Sequence, residues 1–561
     1  MNIILAVFLI LTASNIKAQE DNVLKAVSDE VNRTAAKLKI EKSSAPYFAS
    51  CYVADSSETY ISASFGEIKE SKSYFNRNGR FEVRIGNEMF DSSHYISNFR
   101  DYRPVFRNLP VEDDYDSIRK SLWLMADEAY KIAVERYSQK EAYRKKKDIK
   151  EIYGDLSIEK PNRYFEKNSS CGNLDKQRWE KRLKNISQLF RKYPNISDSD
   201  INARFSSVTR RFSDSQGFSY KTYSCEAYVS IFVYMQNEEG YKLKDNKDFL
   251  YASWKEAEED NIEAKAEEYA KSLNDSYKAE KIDYYVGPAL FTQEAAAEFL
   301  NQLFVRNISF NPKPWADKDE WLKYYYEIPK LKDRIGKRIL PGFIWVYDDA
   351  KAKEYEGRKL AGYYEIDSEG IAPLKLELVK KGKLETIYAS RNPDEKIRNS
   401  NGRGRASYNF FPYATAANVF FMSDKKLDSP SVKEKLISLG KEQELDYVLV
   451  VKKIASYKDS ESNLGNPILA YKLDLKTGKE TPLNISEFEG IGLRALRDIE
   501  AVSSKNQVYN FYQRGPYSYS ASAVPTSIIC PQDILIREIE IKKTQDKPEK
   551  KPYLKHPYFT K

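Results

Sequence analysis

Histidine is nearly absent from this chain of 561 residues, which contains only His94 and His556. Neither is accompanied by another histidine or a cysteine at the spacing of a metal site. Imidazole is the commonest nitrogen ligand of zinc and the usual general base of a hydrolytic triad. The count therefore argues against both a histidine-based metal site and a Ser-His-Asp triad.

Cysteine is also scarce, with Cys51, Cys171, Cys225 and Cys530 as the four representatives. No two of them have the spacing of a zinc knuckle. In an oxidising compartment, four cysteines can pair in three ways. Among these, a Cys171–Cys225 pair would close a local loop, and we favour it.

The chain has little excess charge, since 91 basic and 83 acidic residues leave a formal charge of +8. Acidic and basic residues are interspersed, and no long basic block with interleaved aromatic residues occurs outside the C-terminal tail. This distribution argues against a dedicated nucleic-acid-binding protein. The 41% hydrophobic content is typical of a globular protein.

Long hydrophobic runs are missing except for residues 3–11, which are too few to cross a bilayer. Such a run near the N-terminus, followed by Ala18 and a polar segment, indicates a signal peptide over residues 1–18. We therefore expect export to the periplasm or the exterior, and no transmembrane helix. A buried N-terminal strand is the alternative for this segment.

Helical periodicity predicts helices at residues 20–43, 112–147, 254–280 and 431–443. Alternating or β-branched segments punctuated by glycine predict strands at 47–53, 59–65, 80–85, 201–212, 218–224 and 227–236. Beyond Trp315, short strands dominate, and the last of them covers residues 534–541.

These patterns predict an α+β protein in which a mixed α/β layered region precedes a mostly antiparallel β domain. We place the N-terminal region at 19–310, the C-terminal domain at 311–545 and a flexible Lys/Pro-rich tail at 546–561. At this length, two or three domains are expected.

The stretch 284–304 predicts a short strand, a turn at Gly287 and Pro288, and a helix with Thr292 as its N-cap. Near its start the helix carries Gln293, Glu294 and Glu298. A simple interpretation makes these three a solvated helix face, with the alanines and leucines of the helix packed inward. The alternative is a functional site, because paired acidic residues one turn apart can hold a cation.

The order of several segments resembles the TldD/PmbA family, which is known for peptidase activity. The resemblance rests on five stretches in the right order over several hundred residues, and they are 61–66 with 83–86, 109–116 with 122–131, 284–300, 367–370, and 400–405. The second of these stretches is similar to an exported branch of the family with an extended N-terminal region.

The resemblance implies a zinc peptidase helix with the pattern His-Glu-x-x-x-His, and a cysteine from the C-terminal domain as third ligand. On this chain the first histidine position is Gln293, the general-base position is Glu294 and the second histidine position is Glu298. The third-ligand region has no cysteine at 513–517, and Cys530 lies downstream. An amide and a carboxylate in place of two imidazoles predict a site without a metal.

The resemblance also implies a dimer with a related subunit, and oligopeptides or partly unfolded chains as substrates. Arg403 stands where the family often has histidine, and Arg403, Arg405 and Asn401 are candidates for binding peptide carboxylates.

Three functions stay open from the sequence. The first is a metal-free, exported binding or partner subunit. The second is an active metallopeptidase that uses Glu294 and Glu298 with a hard cation, or zinc held by relocated ligands. The third is a secreted structural or surface protein, to which the 42 tyrosines give slight support.

Overall fold

The fold was analysed in a computed structural model. It describes residues 21–550 and 554, with gaps at 41–42, 98–102, 168–169, 237–238, 277–278, 280–281, 408, 457–463, 484–485, 516–522 and 545–546. The predicted signal peptide, His556 and nearly all of the predicted tail lie outside the described residues.

The N-terminal region is one large sheet with helices on it. Its elements are α1 (Asn22–Lys37), β1 (Pro46–Ser64), β2 (Glu67–Asn87), β3 (Phe90–Asp91), β4 (Tyr95–Ile96), β5 (Val105–Asn108), α2 (Tyr115–Lys146), β6 (Arg163–Phe165), α3 (Lys176–Leu189), β7 (Ile196–Asp214), β8 (Ser219–Gln236), β9 (Lys242–Tyr251), α4 (Trp254–Glu259) and α5 (Ile262–Ser276). The sheet has eight strands in the order β3-β2-β1-β7-β8-β6, with β5 on β2 and β9 on β8.

Two helix-and-hairpin units build this sheet, and they join where β1 pairs antiparallel with β7. Helices α1 and α2 form one hydrophobic core with the first hairpin, and α3 and α5 form a second core with β7, β8 and the end of β1. The predicted helices agree with the observed ones, except that α1 ends at Lys37 rather than at residue 43 and that 254–280 is broken between α4 and α5. Asp260 lies at that break and caps the end of α4.

The hairpin strands are longer than the sequence predicts. Segments 47–53 and 59–65 form the single strand β1, and 218–224 and 227–236 form the single strand β8. The polar stretch around Asp55 suggests a loop, but its backbone pairs with Arg77 on one side and Thr209 on the other. Pairing with both neighbours satisfies the backbone groups, and this outweighs the weak β propensity of the polar residues.

The C-terminal region consists of two larger sheets and several small ones. Its elements are β10 (Tyr284–Thr292), α6 (Glu294–Leu303), β11 (Trp315–Ala316), α7 (Leu322–Tyr325), β12 (Ile344–Asp348), β13 (Glu354–Tyr355), β14 (Arg358–Lys359), β15 (Leu376–Lys380), β16 (Lys383–Leu384), β17 (Gly404–Arg405), β18 (Tyr413–Ala414), β19 (Asn418–Ser423), α8 (Ser429–Glu442), β20 (Tyr447–Ile454), β21 (Pro467–Asp474), β22 (Glu480–Pro482), β23 (Ser486–Glu489), β24 (Ile499–Val502), β25 (Asn506–Arg514), β26 (Ala523–Pro531) and β27 (Asp533–Lys543).

Seven strands pair in the order β22-β21-β20-β10-β27-β23, with β24 on β27, and six pair in the order β16-β15-β12-β19-β26-β25. Most pairs are antiparallel, so the predicted α+β class is confirmed. Helix α6 is buried and contacts strands of both sheets. The common core begins at Ile282, so β10 and α6 pack with the C-terminal sheets, although the predicted boundary at 310 stays untested as a domain limit.

Cys171 and Cys225 form a disulfide bond, which is the pairing favoured from the sequence. The bond joins the segment before α3 to β8 across 54 residues of chain. Cys51 and Cys530 are buried free thiols. Among the helices that the structure describes, none has the length and apolar character needed to span a bilayer.

We expect reduction of this disulfide to lower the free energy of unfolding by about 2–4 kcal/mol, because the bond closes a loop across 54 residues that the reduced, unfolded chain no longer has. Denaturant unfolding with and without dithiothreitol measures the loss. The Cys171→Ser/Cys225→Ser variant is the control, and its lower stability should not respond to the reductant. Equal stability of the oxidised and reduced wild type would contradict the pairing.

Candidate functional site

The candidate helix α6 begins directly after β10, at a residue with an unusual backbone. Gln293 has φ 54° and ψ −128°, a conformation that costs energy for any residue other than glycine. Its amide donates to the carbonyl of Gln532, and its carbonyl accepts from Gln507 Nε2 at 2.6 Å. The expected N-cap is wrong, since the hydroxyl of Thr292 donates to Asp533 instead.

Glu294 takes part in a buried cluster of four charges. Lys453, on β20, lies with its Nζ 3.4 Å from Glu294 Oε1 and 2.9 Å from Asp245 Oδ1. Lys247 pairs with the other oxygen of Glu294. Asp245 and Lys247 lie on β9 of the N-terminal sheet, so two carboxylates and two ammonium groups join the two regions.

The electrostatics of this cluster favour the charged forms. Burial by itself raises the pKa of Glu294, but Lys453 and Lys247 together bring that pKa below its ordinary value. Burial lowers the pKa of Lys453, but Asp245 and Glu294 outweigh this effect and raise the pKa above its usual range. Both partners are therefore ionised at neutral pH.

Glu298 lies one turn further along α6 and is 1% exposed, so the prediction of a solvated face is wrong for this residue. Tyr509 donates to Glu298 Oε1 at 3.0 Å and Gln302 donates to Oε2 at 2.9 Å. Burial raises the pKa of Glu298. The side chain of Gln293 is exposed, so the three sequence-predicted positions have three different environments.

A cleft of about 320 Å³ opens above the start of α6, between the N-terminal sheet and the C-terminal sheets. Helix α5 and strands β9, β20 and β25 supply its walls, among them Ser272, Lys247, Lys452, Gln507 and Asn510. The lining combines polar and charged side chains with aromatic ones. The geometry suits an extended polar ligand, such as a segment of peptide.

The side chains around Glu294 were missed by the sequence analysis, although one signal was present. Strand β20 is apolar at most buried positions but carries Lys453, which is only 5% exposed. A lysine in the inward-facing set of a strand indicates a buried partner of opposite charge. Tyr509 and Asp245 gave no comparable signal.

Cys530 lies closer to the site than its sequence position suggested. Its Sγ is 3.7 Å from Gln507 Nε2, which also donates to the carbonyl of Gln293. Burial raises the pKa of Cys530 to about 12, so the group is a neutral thiol. Within the part of the chain that the structure describes, no three His, Cys, Asp or Glu side chains converge as a metal site.

The other three candidates lie within the packing of the C-terminal domain, away from this cleft. Arg403 is fully buried and pairs with Asp348 at 2.8 Å. Arg405 donates to the carbonyls of Ala416 and Pro525, and the amide of Asn401 bonds to the backbone at Ile387 and Ala389. Their peptide-binding role stays a prediction that these contacts do not favour.

Comparison with known proteins agrees with this architecture. Residues 285–543 match the model of the family described as the PmbA/TldA metallopeptidase C-terminal domain. Comparison with curated proteins gives no match.

Three solved structures share the fold. TldE from Thermococcus kodakarensis is 15% identical with a TM-score of 0.57, and the match covers 88% of this chain and 96% of that one. A candidate modulator of a DNA gyrase from Thermotoga maritima MSB8 is 12% identical with a TM-score of 0.55 and the same coverages. A candidate modulator of DNA gyrase from Bacteroides thetaiotaomicron VPI-5482 is 11% identical with a TM-score of 0.56, covering 94% and 100%.

We expect the change Lys453→Met to destabilise the protein by about 3–5 kcal/mol, because it leaves two buried carboxylates with one ammonium. The neighbouring Lys452 is 34% exposed, and Lys452→Met should cost less than about 1 kcal/mol. Denaturant unfolding measures both. Adding Asp245→Asn to Lys453→Met should recover part of the loss, and strictly additive effects would contradict a coupled cluster.

The change Glu298→Gln tests the raised pKa of Glu298. A carboxyl whose pKa is raised on folding stabilises the protein below its unfolded pKa, and this contribution is lost as pH rises through the folded value. The amide of Gln does not titrate, so the free energy of unfolding of the variant should increase relative to that of the wild type as pH rises. The expected increase is about 1.4 kcal/mol per unit of pKa shift. Unfolding between pH 4 and pH 9 measures the gain, and the exposed Glu259→Gln is the control. A variant that loses stability relative to the wild type with rising pH would contradict the assignment.

Proposed function

Starting from the relationship of this chain to the TldD/PmbA family, we propose that it is an exported, metal-free member that binds peptide or unfolded polypeptide in the cleft above α6. In this function Glu294 has no catalytic role. The protein acts as a binding subunit or as the partner of a related chain.

The observation that carries the metal-free part is the position of Lys453. Its ammonium lies 3.4 Å from Glu294 Oε1, so a divalent cation bound to that carboxylate would meet a fixed positive charge. Glu298 is held by Tyr509 and Gln302, and in the described part of the chain no three His, Cys, Asp or Glu side chains come together as a metal site. Zinc prefers nitrogen and thiolate ligands in an open tetrahedral arrangement, and this donor set does not fit it.

The peptide-binding part is supported by the shape and composition of the cleft. Its walls carry amide side chains, Gln507 and Asn510, on a strand that runs along one side. Both amides already bond to the backbone of this chain, Gln507 at Gln293 and Asn510 at Lys359 and Ala361. The lysines that line the cleft would therefore provide the attraction for carboxylates of a ligand. No described segment of the chain fills the cleft.

Export is supported by the disulfide between Cys171 and Cys225, since such bonds persist mainly in oxidising compartments. The sequence of residues 1–18 supports the same location. A partner chain is supported by the name of the structural relative TldE and by the family resemblance, and we leave the identity of the partner open.

Blocking the cleft tests the proposed function. Ser272 lines the cleft from α5, so Ser272→Trp should weaken binding of a labelled unfolded polypeptide by about tenfold or more, because the indole fills the volume. Ser272→Ala is the matched control and should bind as the wild type does. Fluorescence anisotropy measures both, and equal binding by the two variants would overturn the proposal.

Metal analysis of the same preparations separates this function from the metallopeptidase alternative. We expect no stoichiometric zinc and no change in melting temperature with a chelator. Zinc at one equivalent that is lost on Glu294→Gln, together with cleavage of the labelled polypeptide, would establish the alternative instead.

A further inference from the structure

A second cavity, lined by none of the residues around Glu294, lies between the first hairpin, helix α2 and loops of the C-terminal region. It encloses about 70 Å³. Five arginines and two glutamates line it, and they are Arg80, Arg84, Arg103, Arg136, Arg391, Glu82 and Glu369. Arg103 is exposed, so the cavity opens to solvent on that side.

Two of these arginines are neutralised by nearby carboxylates. Arg84 pairs with Glu82 at 2.7 Å and with Asp91 at 3.3 Å. Arg391 pairs with Asp214 at 3.3 Å. Burial raises the pKa of Glu369, whose Oε2 accepts a hydrogen bond from the backbone amide of Arg391 at 2.9 Å.

Arg80 differs from them. It is 5% exposed, donates one hydrogen bond from Nη1 to the carbonyl of Phe410 at 2.6 Å, and lies 4.8 Å above the ring of Tyr52. Among the residues that the structure describes, no carboxylate lies within ion-pair distance of it. An aromatic ring and a carbonyl compensate a buried cation only in part.

We propose that this cavity is a binding site for an organic monocarboxylate, with Arg80 as its anchoring cation. One buried guanidinium without a carboxylate partner is matched by one carboxylate, and Glu82 and Glu369 on the same wall disfavour a dianion such as phosphate. The planar guanidinium fork matches the geometry of a carboxylate.

The walls indicate the rest of the ligand. Phe48, Phe81, Val83 and Val105 supply apolar surface next to the arginines. The enclosed volume holds a carboxylate with a short aliphatic group, and a larger ligand would extend past Arg103 into solvent. Two sources have this chemistry, a free short-chain acid and the C-terminal residue of a peptide. The inference stands on this cavity and not on the proposed function of the cleft.

Thermal shift and titration calorimetry on the mature chain test the site, with propionate as the probe. Propionate should raise the melting temperature and bind with one-to-one stoichiometry, whereas propionamide and inorganic phosphate should do neither. Stabilisation by the amide, or by phosphate but not propionate, would overturn the assignment. So would the absence of any response to propionate and to the peptides described next.

Peptides separate the two sources. If the natural ligand is a chain terminus, acetyl-Ala-Ala with a free carboxylate should bind more tightly than propionate, and its C-terminal amide should not bind. If the ligand is a free acid, propionate should bind at least as tightly as the peptide.

Variants connect the binding to Arg80. Arg80→Gln keeps a donor for the carbonyl of Phe410 but removes the charge, so it should lower the affinity for propionate by about tenfold or more. The control Arg107→Gln changes an arginine on the adjacent strand β5 that is 56% exposed, and it should bind as the wild type does. Equal affinity of Arg80→Gln and the control would contradict the role of Arg80. The comparison of propionate with propionamide needs no variant and decides the question if Arg80→Gln does not fold.

Discussion

The buried pairing of Lys453 with Asp245 and Glu294 is the constraint on which the rest of the site depends. Desolvating these groups is costly, and only mutual attraction and hydrogen bonding in a fixed geometry offset that cost. Because Asp245 lies on the N-terminal sheet and Lys453 on a C-terminal strand, the requirement also fixes the relative position of the two regions. The floor of the cleft is therefore set by electrostatics as well as by packing.

The same pairing changes what α6 can do. A carboxylate at the start of a helix, held against a positive charge, is electrostatically similar to a carboxylate beside a metal ion. An ammonium, however, has no vacant coordination position, and it polarises a substrate carbonyl far less than a Lewis acid does. The strained backbone of Gln293, fixed by Gln532 and Gln507, holds the helix start where a ligand in the cleft would meet it. These features fit the binding role proposed for the cleft.

Much of the fold follows from local patterns in the sequence. The acidic start at Asp114 predicts the beginning of α2, and the short separation of Cys171 and Cys225 favours the observed disulfide. The sequence wrongly predicts two short strands in place of β1 and two in place of β8, because pairing with strands distant in the chain stabilises the polar centres of these long strands. The site was predicted only in part, because Glu294 and Glu298 look alike in sequence and differ through Lys247, Lys453 and Tyr509, all of which lie more than 40 residues away. Such partners leave no periodic signal, except for a lysine such as Lys453 in an apolar strand.

The cleft and the arginine-lined cavity each contain a buried cation, Lys453 and Arg80, and the two cations have different surroundings. Lys453 pairs with carboxylates from both regions of the protein, so its charge is used within the fold. Arg80 is about equally buried, but has only a carbonyl and an aromatic ring as partners. Carboxylates of the protein itself stabilise the charge of Lys453, whereas the charge of Arg80 would be stabilised in the same way by a bound anion. A small anion gains most where the protein provides a desolvated cation without a counterion, and on this chain that place is the arginine-lined cavity rather than the helix that resembles a metal site.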